Sequence, residues 1–149
     1  MAFAAPSIKG RALRLLSQRE HSRAELERKL AKYEEVPGTL KAALDDLVAK
    51  DFISEARVVQ SVLHQRAPRM GAAWVRQALQ QKGIAPDAIV EAVASLQDTE
   101  LARARQVWQR RFDASPLDVK ARAKQMRFLM ARGFSGSVVD KVLKGALED

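Results

Sequence analysis

Apolar residues recur along this chain at spacings of three and four, the interval that brings side chains onto one face of an α-helix. Leu13, Leu15 and Leu16 belong to a first helix, Leu26 and Leu30 sit on one face of a second, and Leu40, Ala43, Leu44 and Leu47 form the stripe of a third. The boundaries between stripes carry helix punctuation. Ser22-Arg23-Ala24-Glu25 has the S-x-x-E form of a capping box, in which Ser22 accepts from the amide three residues on and Glu25 reaches back. Lys29 and Lys32 suit the negative end of the helix that follows, and Pro37-Gly38-Thr39 interrupts before the next stripe.

The pattern then returns. Shifted by 49 positions, Leu26 meets Val75, Leu30 meets Leu79, Pro37 meets Pro86, Leu40 meets Ile89, Leu44 meets Val93 and Leu47 meets Leu96. A further shift of 50 aligns Leu79 with Leu129, Gly83 with Gly133, Ile84 with Phe134, Ile89 with Val139 and Val93 with Leu143. The helix leading into each unit ends alike, Leu16 with Arg19, Leu63 with Arg66 and Trp108 with Arg111, and the third unit carries an insertion from Asp113 to Leu117. This predicts an all-α fold, an elongated tandem array of three three-helix repeats at residues 1–50, 51–98 and 99–149. Gly83 and Gly133 fall where helices end and left-handed backbone is favoured, with Ile84 and Phe134 placed to fold back on the last turn.

Composition narrows the chemistry. The chain has no cysteine, so disulfides, thiolate metal sites and cysteine nucleophiles are excluded, which fits a cytoplasmic location. No apolar run is long enough to span a membrane, and Met1 to Lys9 lacks the basic start and apolar length of a secretory leader. The net charge is +8, unevenly placed. Residues 99–149 hold 11 basic against 6 acidic groups, and between Arg103 and Arg132 nine basic residues face only Asp113 and Asp118. Such an excess attracts a polyanion, and nucleic acid is the commonest one in a cytosol.

Catalytic patterns are missing. His21 and His64 stand in no metal-ligand spacing, His21 reading as a loop residue beside the Ser22 cap. No phosphate-binding glycine loop occurs, and Asp45-Asp46 points two carboxylates to different helix faces, in solvent. Trp74, Trp108, Phe112, Phe128 and Phe134 read as core residues rather than base-stacking platforms. The expectation is a protein that is no enzyme, needs no cofactor and binds a macromolecule.

Three stretches resemble the RecX family of recombination regulators: Ala12 through Leu26, Val75 through Ile84, and Arg127 through Phe134, one in each unit and in the family's order. The resemblance implies a three-helix-repeat fold, binding to single- and double-stranded DNA, and control of the RecA recombinase from within the groove of its DNA filament. Two stretches depart from the family's pattern, Ser54-Glu55-Ala56-Arg57-Val58 and Ala67-Pro68-Arg69-Met70-Gly71, leaving the second unit's contacts open. A helix-turn-helix transcription regulator is the alternative, and a pure protein scaffold a third.

The cations expected to meet DNA or the recombinase filament centre on the last unit. Lys120, Lys124 and Arg127 follow helical spacing with Arg122 beside them, flanked by core candidates Leu117, Phe128 and Leu129, and joined by Arg110, Arg111 and Arg132. Arg23, Arg28 and Lys29 in the first unit, and Arg76 and Lys82 in the second, complete the set. The expected partners are the RecA filament and DNA of any sequence, bound by a monomer. Small-angle scattering should give a maximum dimension greater than that of a compact sphere of this mass, with circular dichroism dominated by helix; a spherical profile would discard the array.

Overall fold

The computed structural model describes residues 5–148; the first four positions of the Met1 to Lys9 stretch, and residue 149, lie outside it. Among the described residues there is no strand. The α-helices are α1 (Ile8–Gln18), α2 (Arg23–Leu30), α3 (Thr39–Ala49), α4 (Glu55–Arg66), α5 (Ala72–Gln81), α6 (Pro86–Ala94), α7 (Glu100–Arg111), α8 (Val119–Ala131) and α9 (Gly136–Glu148), with 3-10 turns at Ala31–Tyr33 and Gln97–Thr99. They form two compact units, residues 1–61 with 81–84, and residues 62–80 with 85–149.

The first unit is organised around α1, α2 and α3. Leu26, Leu30, Leu44, Leu47 and Ala12 are buried together with Ile53, and Leu13, Leu16 and Leu40 pack against them. The capping box forms as the sequence predicts: Ser22 Oγ accepts from the Glu25 amide at 3.1 Å and Glu25 Oε1 accepts from the Ser22 amide at 3.1 Å. Glu25 is only 7% exposed, and Arg19 Nη2 at 2.7 Å and Lys82 Nζ at 3.1 Å supply its charge partners. Burial pushes this carboxyl up, but Arg19, the Ser22 amide and Lys82 outweigh burial and hold it at about 2.

Some local expectations are corrected. His21 does lie in the loop before α2, yet it is buried: its Nδ1 bonds the Arg19 carbonyl at 3.0 Å and its Nε2 the Lys29 ammonium at 3.0 Å. Asp45 and Asp46 diverge as expected but are ion-paired rather than merely solvated, Asp45 with Arg23 and Lys41, Asp46 with Lys9 and Lys50. Pro86 opens α6 at its first turn, whereas Pro37 precedes α3, because Gly38 adopts φ 92° as that helix's N-cap. Helix α3 closes through Asp51 at φ 64°, with the Phe52 amide donating to the Leu47 carbonyl at 2.9 Å; the short polar side chain makes the left-handed region accessible.

In the second unit α7, α8 and α9 enclose Ala104, Val107, Leu129, Phe134, Val139, Val142 and Leu143. Trp108 packs on this cluster and donates its Nε1 hydrogen to Gln125 Oε1 at 2.8 Å, while Gln125 Nε2 donates to the Ala114 carbonyl in the inserted loop at 3.3 Å. Phe134 folds back as predicted, its amide donating to the Leu129 carbonyl at 3.3 Å after Gly133 at φ 89°. Leu117 does not join this core. It is 94% exposed, because Asp118 caps α8 and Leu117 precedes the helix, off its apolar face.

Two backbone segments of the second unit touch directly. The Gly71 amide donates to the Arg132 carbonyl at 2.7 Å and the Ala73 amide to the Gly133 carbonyl at 3.2 Å. A Cβ on Gly71 would lie 2.3 Å from the Gly133 carbonyl atoms, and one on Gly133 2.5 Å from the Trp74 nitrogen. Arg103, only 11% exposed, fastens the turn before Gly71 by donating to the carbonyls of Ala67 at 2.8 Å, Met70 at 2.7 Å and Leu96 at 3.0 Å.

Two stability tests follow. Gly71→Ala should cost about 3 kcal/mol in urea unfolding, because backbone cannot yield as a flexible side chain would, whereas Gly136→Ala, with nothing within 4 Å of its added Cβ, should raise stability by about 0.5 kcal/mol. Equal effects would remove the seam. Glu25→Gln should destabilise by about 2 kcal/mol at pH 7. Because the folded carboxyl lies below its unfolded value, Glu25 stabilises fully above about pH 4.5 and loses that contribution as pH falls towards about 2. The gap between parent and variant should therefore close across that window in parallel acid titrations, and a gap unchanged by pH would contradict the ionised state.

Candidate nucleic-acid interface

The stripe on α8 depends on how the helix turns. Successive residues advance by about 100°, so Lys124 and Arg127 lie within about 40° of Lys120, while Arg122 stands roughly 160° away. The structure follows this geometry. Lys120, Lys124 and Arg127 are exposed and, among the described residues, have no carboxylate partner. Arg122 is half-buried and bonds Asp140 on α9 at 2.8 Å, so it belongs to the α8–α9 contact and not beside the other three. Asp140 in turn also pairs with Lys144, and both cations hold its carboxyl below the usual range against the effect of burial.

Beside the three free cations lies an aromatic patch. The Phe112 and Phe128 rings meet edge to face with centroids 5.4 Å apart. Arg111 stands 5.4 Å from the Phe112 ring and 5.7 Å from Phe128, and Arg132 lies 5.0 Å from Phe128. These cation–π contacts hold two guanidiniums at the protein surface without neutralising them. Arg110 is exposed at the end of α7. The second unit thus brings Arg111 and Arg132 together around Phe128, whose α8 neighbours are Lys124 and Arg127. Arg76 is exposed on α5, without a carboxylate partner among the described residues.

Cations of the first unit are placed differently. Arg23 bonds Glu27 at 3.1 Å and Asp45 at 2.6 Å, and Lys82 neutralises Glu25. Arg28 donates to the Gln81 carbonyl at 2.8 Å and Lys29 faces His21, so neither meets a carboxylate. Sequence reasoning passed over Arg11, Arg14 and Lys32, which share a cavity with Arg28 and Lys29. The signal was present, since α1 contains no acidic residue at all. Among the described residues no three His, Asp or Glu side chains stand close enough to hold a metal, and no helix is long and apolar enough to cross a membrane.

The sequence matches the RecX first three-helix domain over residues 9–47, the second over 54–93 and the third over 98–143. The chain belongs to the RecX family. It is 54% identical to the regulatory protein RecX of Leptothrix cholodnii over 138 residues, covering 93% of this chain and 88% of that one. It is 49% identical to that of Ralstonia nicotianae, covering 94% and 88%, and 45% identical to that of Herminiimonas arsenicoxydans, covering 100% and 99%. Its fold is similar to two crystal structures, one of a regulatory protein RecX (TM-score 0.73, 22% identity, 92% of this chain and 71% of that one) and one of RecX from Lactobacillus salivarius (TM-score 0.72, 20% identity, 95% and 96%). Membership places the chain among RecX regulatory proteins.

Within this RecX chain the stretches Ser54 to Val58 and Ala67 to Gly71 have local structural roles. Ser54 accepts from the Arg57 amide at 3.2 Å at the start of α4, and Arg57 bridges Glu20 at 2.8 Å and Asp51 at 3.0 Å. The turn from Ala67 to Gly71 is the one that Arg103 fastens through the Ala67 and Met70 carbonyls. That contact removes Arg103 from the cations available to a ligand.

Proposed function

We propose that this chain is a non-enzymatic, cytoplasmic modulator of the RecA recombinase that binds the RecA–DNA filament, and single- and double-stranded DNA, as a monomer without sequence preference. The observation that carries this reading is the uncompensated face of α8. Lys120, Lys124 and Arg127 are aligned and exposed, and Arg111 and Arg132 are fixed around Phe128 beside it. Like charges at helical spacing repel one another, and a polyanion recovers that energy by releasing its own counterions. Flexible lysines contact phosphates as point charges and carry no base code, which supports a sequence-blind mode over the helix-turn-helix regulator. No small-molecule cofactor enters the reading.

Strand exchange by RecA, with this protein titrated well below the recombinase concentration, tests the regulatory part: inhibition is expected, and unchanged exchange would reject it. Changing Lys120, Lys124 and Arg127 together to Glu should weaken both inhibition and DNA binding and make the salt dependence shallower by about 2 to 3 log units per log unit of salt. Thermal unfolding should shift by under about 1.5 kcal/mol, three exposed substitutions at roughly 0.5 each. A variant as active as the parent would place the contact elsewhere, and strong preference for one duplex site would restore the transcription-regulator reading.

A further inference from the structure

The first unit holds a second concentration of cations that, among the described residues, meet no carboxylate. A cavity of about 600 Å³ opens between α1 and the α2–3-10 segment, walled by Arg11, Arg14, Arg28, Lys29, Lys32 and Tyr33. No carboxylate lines it. Most acids of the unit are committed elsewhere: Glu20 and Asp51 to Arg57, Glu25 to Arg19 and Lys82, Glu27 and Asp45 to Arg23, and Asp46 to Lys9 and Lys50. Glu34 accepts from the Leu40 amide, and Glu35 lines an adjoining concavity that Arg11, Lys32 and Tyr33 also border. The cations left over share one concavity.

The cavity's chemistry is divided in a way that suits one ligand class. Gly10, Leu15 and Leu30 give it an apolar part, while the cations supply a charged one. The Arg11 guanidinium lies 3.8 Å from the centroid of the Tyr33 ring, a stack of two planar groups in the wall, and the Lys32 ammonium stands 5.2 Å from the same centroid. Along the helix axes Arg11 and Arg14 are separated by about 4.5 Å, and Arg28 and Lys32 by about 7 Å, the last two steps being 3-10. Charge is therefore strung along both walls instead of converging on one point, as a chain of phosphates requires and a lone phosphate does not. A duplex presents phosphates but keeps its bases stacked inside. A single strand presents phosphates and free base faces together, and stacking on planar side chains is the usual recognition of such bases.

We propose that this groove is a binding site for a single-stranded nucleic-acid segment, the phosphates lying along Arg11, Arg14, Arg28 and Lys32 and a base against the Arg11–Tyr33 stack. It rests on the DNA-binding reading above and adds to it a second site, specific for unpaired strands.

The test uses the full chain and a mixed-sequence single-stranded oligonucleotide followed by fluorescence anisotropy. Replacing Arg11, Arg14 and Lys32 together with Gln should weaken single-strand binding about tenfold or more at 0.1 M salt and make its salt slope shallower by about 2, with duplex binding reduced far less. Iodouridine-substituted oligonucleotide, irradiated with the unaltered chain, should crosslink to Tyr33; this arm stands even if the triple variant fails to fold. Unchanged single-strand affinity in the folded variant, crosslinks confined to α8, or equal loss for duplex and single strand would each overturn the groove. Binding of a free nucleoside monophosphate as tightly as the oligonucleotide would overturn the chain-like ligand. If the parent protein binds no oligonucleotide at all, the DNA-binding reading itself fails; if only the variant at Lys120, Lys124 and Arg127 loses single-strand binding, that reading stands and the groove does not.

Discussion

A carboxylate withdrawn from water must recover its solvation from the protein, and Glu25 does so from three directions. It accepts from its own helix's cap, from Arg19 at the end of α1, and from Lys82 beyond α5, while Ser22 Oγ donates to the Lys82 carbonyl at 2.5 Å. The start of α2, the exit of α1 and the segment 81–84 are thus fixed by one charge. Removing any one partner leaves the others facing an incompletely solvated anion. The close approach of Gly83 to Ala24 belongs to the same arrangement, since a Cβ at Gly83 would lie 2.6 Å from the Ala24 side chain. With these in place the leucines of α1, α2 and α3 pack into one cluster with Ala12 and Ile53.

Where the acids are used decides where positive potential remains. In a chain of +8, a scattered excess would give a diffuse field. Here Arg23, Arg57, Lys82 and Arg122 are each paired with carboxylates, and Arg103 is turned inward upon carbonyls. Among the described residues, cations without a carboxylate partner gather on the outer face of α8 and along the groove beside α1, and others such as Arg76 and Arg110 stand exposed apart from both. Structural ion pairs therefore shape the electrostatic surface as much as the free cations do, since each pair erases a positive point that would blur the pattern.

Features set by neighbouring residues are legible in the sequence. The Ser22–Glu25 box, the glycine stops at 83 and 133, and the buried register shared by Leu30, Leu79 and Leu129 all follow from interactions within a few positions of chain. Features set by distant pairing are not. Arg122 reads as a surface cation until Asp140, eighteen residues on, is seen opposite it. Leu117 reads as core until the cap at Asp118 places it outside the helix. The groove of α1 escaped for the same reason: Arg11 and Arg14 lie on one helix and Arg28 and Lys32 on another segment, and only the packing of the two makes a concavity of them. A charge census counts residues, whereas a binding site is a matter of which residues are left over.

The contact between Gly71 and the Arg132–Gly133 backbone bears on how such a protein drifts in sequence. Contacting positions ordinarily exchange size, a larger side chain on one side being accommodated by a smaller one on the other, and that exchange leaves correlated substitutions. At this seam neither partner offers a side chain to trim. A methyl added at 71 meets main-chain atoms that every amino acid possesses, so no replacement at 133 relieves it. The two glycines should consequently be held fixed one by one, each against its own barrier, and their proximity should leave no trace of covariation although their atoms are in direct contact.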